Sequence, residues 1–144
     1  MTGVQTCALP ISLSFVFNLD ATYTPTEQTQ LGLVASRRNQ SSALFLGQNY
    51  SITTVGVSGG YRPRTSVSFY TLAAYNHLSY SSTLGAQTTP DRKDDYFGLQ
   101  LGATIDIALR WALGIFYEFR SNASSLDPFD YSDRQIGMTL SWAY

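Results

Sequence analysis

Apolar and polar residues alternate along most of this chain, the period of a strand whose two sides meet different surroundings. From Leu13 the odd positions are Leu13, Phe15, Phe17, Leu19, Ala21 and Tyr23, and the even ones are Ser14, Val16, Asn18, Asp20 and Thr22. Thr24-Pro25-Thr26-Glu27 ends this first predicted strand. A second, weaker strand runs near Gln30 to Ser36, with Leu31, Leu33 and Ala35 on one side, and Arg37-Arg38-Asn39-Gln40-Ser41-Ser42 reads as a polar loop. Ala43-Leu44-Phe45-Leu46 fits either that loop or a strand extension. The third strand covers roughly Tyr50 to Tyr61, with Val55, Val57, Gly59 and Tyr61 sharing a side. Arg62-Pro63-Arg64 reads as a tight turn, because proline presets a turn dihedral and has no ladder donor.

The fourth predicted strand runs from about Thr65 to His77, with Val67, Phe69, Thr71, Ala73 and Tyr75 on one side, and a polar segment follows from Leu78 to Asp94. In the fifth, Asp95 to Asp106, the residues Phe97, Leu99, Leu101, Ala103 and Ile105 oppose Tyr96, Gly98, Gln100, Gly102 and Thr104. A short connection at Ile107-Ala108-Leu109 leads to the sixth, where Trp111, Leu113, Ile115, Tyr117 and Phe119 oppose Ala112, Gly114, Phe116, Glu118 and Arg120. A polar loop covers Ser121 to Asp130, and the last strand runs from Tyr131 to Tyr144. The predicted connections alternate. Those near 24–29, 62–64 and 107–109 are short, and those near 37–49, 78–94 and 121–130 are long.

Alternation alone also suits a soluble half-buried sheet, so composition decides. Charged residues make up 13% of the chain and aromatics 14%. The net charge of -1 gives no electrostatic case for nucleic acid. No apolar run reaches the roughly 18 residues of a membrane helix, whereas a membrane strand needs only about 9–11 with half of them facing lipid. The aromatics also fall into two bands. Tyr23, Tyr61, Trp111, Trp142 and Tyr144 lie at the strand ends near the short turns, and Tyr75, Phe97, Tyr117, Phe119 and Tyr131 lie near the long loops. Leu, Ile, Val and Ala separate the bands, the pattern of interfacial girdles. The expected fold is all-β: an antiparallel up-and-down transmembrane β-barrel, of which residues 12–144 supply about seven C-terminal strands. Bacterial single-chain barrels have even strand counts of about eight or more, so the parent is expected to be longer on its N-terminal side.

The C-terminus resembles the assembly signal of outer-membrane proteins, an aromatic last residue preceded by alternating apolar positions. Ile136, Met138, Leu140, Trp142 and Tyr144 carry that resemblance, with Tyr in place of the usual terminal Phe. It implies the outer membrane of a Gram-negative bacterium, with outer-membrane lipid, the β-barrel assembly machinery and periplasmic chaperones as partners. Gly59-Gly60-Tyr61-Arg62-Pro63-Arg64-Thr65-Ser66-Val67, Arg92-Lys93-Asp94-Asp95-Tyr96 and Phe129-Asp130-Tyr131-Ser132-Asp133-Arg134-Gln135 resemble the β-barrel porins linked to exopolysaccharide loci, over residues 55–144. That resemblance implies no catalytic residue. Residues 1–11, Met1 to Ile11, resemble the translation of a common short-read sequencing adapter read from a GTG start and are set aside as non-native. The single cysteine, Cys7, goes with them, so no redox or metal argument rests on it.

Candidate chemistry is sparse. His77-Leu78-Ser79 resembles the His-x-Ser element of outer-membrane lipid A deacylases, in which a base-activated serine acts at the outer surface. Its acid would have to come from Asp94 or Asp95, both placed in the loop region, and an interfacial polar strand end is the simpler expectation. Asp91, Asp94 and Asp95 lack the acidic spacing of a calcium loop and carry Arg92 and Lys93 among them, so a solvated loop is expected. Glu118 and Arg120, two apart on the polar side of one strand, and Asp106 nearer a strand end, are candidate lumen charges. No catalytic residue, cofactor or metal is expected. The expected function is a porin-like channel or export-associated barrel; the alternatives are a lipid-modifying enzyme using His77 and Ser79, and an adhesive barrel acting through its long loops.

Overall fold

The computed structural model describes residues 15–41, 48–82, 92–108 and 110–142. These form seven strands: β1 (Phe17–Thr26), β2 (Thr29–Ser41), β3 (Gln48–Arg64), β4 (Val67–Ser82), β5 (Lys93–Ala108), β6 (Trp111–Ser124) and β7 (Tyr131–Trp142). A short 3-10 turn, Asp127–Phe129, precedes β7, and no α-helix occurs among the described residues. The strands lie in one sheet in chain order, each antiparallel to the next. The fold is therefore an all-β, up-and-down meander.

Every strand centre coincides with an alternating segment, but most strands run further than alternation predicts. Arg37 to Ser41, expected in a loop, belong to β2, and Leu78 to Ser82, also expected in a loop, belong to β4. Lys93 and Asp94 are in β5, and Ser121 to Ser124 are in β6. The extensions are polar because a ladder needs only backbone groups. Side chains reinforce it there: the Tyr50 hydroxyl donates to Gln40 at 2.7 Å, and the rings of Tyr50 and Tyr80 stack at 5.3 Å. The predicted turn residues Pro25 and Pro63 also prove to lie inside strands. Each falls at a register irregularity, between Tyr23 and Thr26 and between Tyr61 and Arg64, where a missing N–H costs no regular ladder bond. The turns themselves are one step later, at Glu27-Gln28 and Thr65-Ser66. Ala43 to Leu46 and Leu109 lie outside the described residues.

The sheet is a single layer. No apolar side chain among the described residues is buried. One face collects Leu19, Leu33, Val57, Leu101, Ile115 and Met138 with their neighbours; the other collects Asn18, Ser36, Thr54, Asn76, Gln100 and Gln135. On β7 the apolar positions are even-numbered, because the β6–β7 register pairs Leu113 with Leu140.

The apolar face is a band that slides along the strands. Tyr23, Leu31, Gly59, Thr71, Leu101, Tyr117 and Ile136 are level with one another through successive pairings. Tyr23 closes the band on β1 at its turn end, whereas Ile136 opens it on β7 at its loop end. On β7 the band runs on to Trp142 at the turn end, six residues beyond the level of Tyr23, so it slips six residues over six pairings. One residue of rise, about 3.3 Å, per strand spacing of about 4.8 Å makes the strands lean about 35° from the perpendicular to the band.

Candidate functional site

Two sets of side chains gather at defined heights on the sheet. The first is the fringe where the apolar band gives out toward the long connections. The next position on the apolar face is Arg37 on β2, Thr53 on β3, His77 on β4, Asp95 on β5, Ser121 on β6 and Arg134 on β7. His77 and Asp95 are direct cross-strand partners, with Nδ1 2.7 Å from Oδ1. The Tyr75 hydroxyl donates to the same oxygen at 2.5 Å. These two contacts, His77 first and Tyr75 second, hold the Asp95 carboxyl below the usual carboxylate range. Asp95 lies in β5, the strand whose alternation begins with it, and register rather than spacing sets it beside His77. Ser79 is two residues along from His77 on the same face, opposite Lys93. No hydrogen bond joins Ser79 to His77 among the described residues.

Asp94 points to the other face and is 5% exposed. Ser124 donates to it at 2.6 Å, and the Arg92 Nε lies 3.0 Å away, an ion pair not aligned as a hydrogen bond. The Arg92 guanidinium sits between the rings of Tyr80 and Phe129, 4.1 Å from each centroid. This knot ties the β4–β5 hairpin to the 3-10 turn before β7. Asp94 is therefore buried and paired where a solvated loop is expected, and it shares no site with Asp95. Asp91 lies outside the described residues. No group of three residues able to hold a metal occurs among the described residues.

The second set is on the polar face. Arg120 donates to Asp133 at 3.0 Å and lies 3.5 Å from Glu118; Gln135 also donates to Asp133, at 2.8 Å. Glu118 and Arg120 are brought together as their spacing suggests, but Asp106 is not with them. It pairs with Ala112 near the turn end of β5. The residue missed from sequence is Asp133. It faces Arg120 only through the β6–β7 register, which the connection of 125–130 sets and residue spacing does not reveal.

Below this network a level row crosses the polar face: Gly60, Tyr70, Gly102, Phe116 and Gly137. Glycine and aromatic alternate from strand to strand. A β-carbon at 102 would overlap the Tyr70 ring, and one at 137 would overlap the Phe116 ring, so each ring lies across the glycine beside it.

Ile136, Met138, Leu140 and Trp142 share the apolar face of β7, opposite Tyr117, Ile115, Leu113 and Trp111. The rings of Trp142 and Trp111 are 6.2 Å apart. Tyr144 lies outside the described residues. Comparison with known protein families, curated proteins and solved structures gives no match.

Proposed function

We propose that these strands belong to an outer-membrane β-barrel of a Gram-negative bacterium that works as a porin-like channel or export-associated barrel. One observation carries the reading: a single-layer sheet gathers most of its apolar side chains into a band on one face and shifts that band by one residue per strand. A soluble meander would have to cover that band with a second layer, because a lone sheet cannot leave such a face in water. Lipid covers it without protein. The lean of about 35° lies in the range of membrane barrels, in which strands must tilt for the sheet to close. The polar face then lines a hydrated lumen, with Glu118, Arg120 and Asp133 on its wall and Asp106 at its periplasmic end. Closure calls for strands beyond these seven. Trp111 and Trp142 anchor the periplasmic interface, and the β7 row Ile136, Met138, Leu140, Trp142 and Tyr144 is what the assembly machinery and periplasmic chaperones would meet. Kinship with the porins of exopolysaccharide loci belongs to the same proposal. Conductance of the protein purified from membranes, measured in planar bilayers, tests it; a folded barrel that passes no current sinks the channel version.

A second reading is favoured by one contact. Asp95 meets Nδ1 of His77, the nitrogen an orienting acid holds when the other acts as a base, and Ser79 is on the same face at the membrane margin. This would be a lipid-modifying enzyme with Ser79 as nucleophile and His77 as base. Ser79→Ala should then abolish release of fatty acid from lipid A vesicles and leave conductance unchanged. Equal release by both proteins removes this reading.

A further inference from the structure

The channel reading leaves the aromatic row unexplained. Large apolar rings on a water-facing wall are costly to expose, and smaller residues would line a simple pore equally well. Tyr70 is 39% exposed and Phe116 is partly buried, each laid against the sheet over a glycine of the next strand. A ring in that position shows a flat π face to the space in front of the sheet. The two rings are on strands two apart, about 10 Å from each other. Hydrogen-bonding side chains border them on the same face, Gln100, Glu118 and Gln135 one level up and Thr104 and Thr139 one level down.

We propose that Tyr70 and Phe116 form a binding track for the pyranose rings of an extended carbohydrate. A pyranose ring has a face of C–H groups and a rim of hydroxyls. The face stacks on an aromatic plate, whose electron-rich surface attracts the weakly positive hydrogens, while the rim bonds to amides, carboxylates and hydroxyls at its sides. The separation of the rings suits two sugars of one chain. A nucleic acid fits poorly despite its stacking bases. Phosphates need free cations, and the nearby Arg120 is held by Asp133 and Glu118. Glycines 102 and 137 let the plates lie flat, so a chain can pass over them without being blocked by an upright ring.

This inference rests on the polar face being a lumen, and the test separates the two. Titration calorimetry on the membrane-purified protein would use cellohexaose and maltohexaose as probes. At least one is expected to bind, and the Tyr70→Ser/Phe116→Ser double variant to bind roughly tenfold or more weakly. The Tyr70→Phe and Phe116→Tyr variants should keep the wild-type affinity. Absence of binding by either probe, or equal binding by the serine variant, overturns the proposal. If the serine variant does not fold, saturation-transfer NMR on the unaltered protein replaces it: magnetisation passed from aromatic protons to sugar C–H protons supports the track, and its absence overturns it. Binding without bilayer conductance would keep the track and reject the channel. Conductance without binding would do the reverse.

Discussion

Gly137 shows how one absent β-carbon directs a large side chain. Phe116 occupies the space that carbon would fill, so Gly137→Ala must lift the ring or push β7 away. Overpacking of this kind costs about 1–3 kcal/mol, which should appear as a lower urea midpoint for the protein folded in lipid vesicles. Phe116→Ala in the same background should restore much of the loss, since the two changes share one space. At Arg120 the concern is charge. Its removal leaves Asp133 and Glu118 without their cation, and Arg120→Ala should make the proposed lumen more cation-selective, read as a shifted reversal potential across a KCl gradient. Asp95 governs the acid response. Its folded pKa lies below the unfolded value, so its stabilisation is fully present above the ordinary carboxylate range near pH ~4 and is lost as pH falls through the depressed value. The wild-type denaturation midpoint should drop in that window, and Asp95→Asn should show a flatter profile.

For a whole strand, position along the band sets the effect of a substitution. On β6 the outward residues run Trp111, Leu113, Ile115, Tyr117, Phe119 and Ser121, with Ile115 central to the apolar set and Ser121 beyond it. In a bilayer, Ile115→Arg should cost about 2–4 kcal/mol and Ser121→Arg about 0–1 kcal/mol, measured by vesicle refolding in urea. Equal penalties would mean that no bilayer midplane crosses this strand. The same band explains what could be read from sequence. Strand centres were legible because one side must be apolar, which writes a period of two into the residues. Strand ends were not. From Arg37 to Ser41 and from Leu78 to Ser82 the ladder persists on backbone bonds that leave no pattern in side-chain type. Cross-strand pairs were harder still. His77 with Asp95 and Arg120 with Asp133 depend on register, which residue spacing along one strand does not reveal.

Across the whole sheet, the slip of the apolar band fixes an orientation. If the band lies level in a bilayer, the strands stand about 35° from the membrane normal. Polarised infrared spectroscopy of oriented membranes reads that angle from amide dichroism. Strands near parallel to the normal, or lying flat in the membrane, would contradict the proposed arrangement.

Every pairing described in the sheet joins neighbours in sequence, which has a kinetic consequence. Each hairpin closes a short loop, so the sheet can grow one strand at a time at low entropic cost. The outer edges of β1 and β7 are the exception, since neither edge is paired with another strand among the described residues. Whatever covers those edges lies outside the pairings of this sheet. Until they are covered, two edge strands flank a largely apolar face, the surroundings in which strands of different molecules join by mistake. The time before both edges are covered is therefore when this sheet is most open to aggregation.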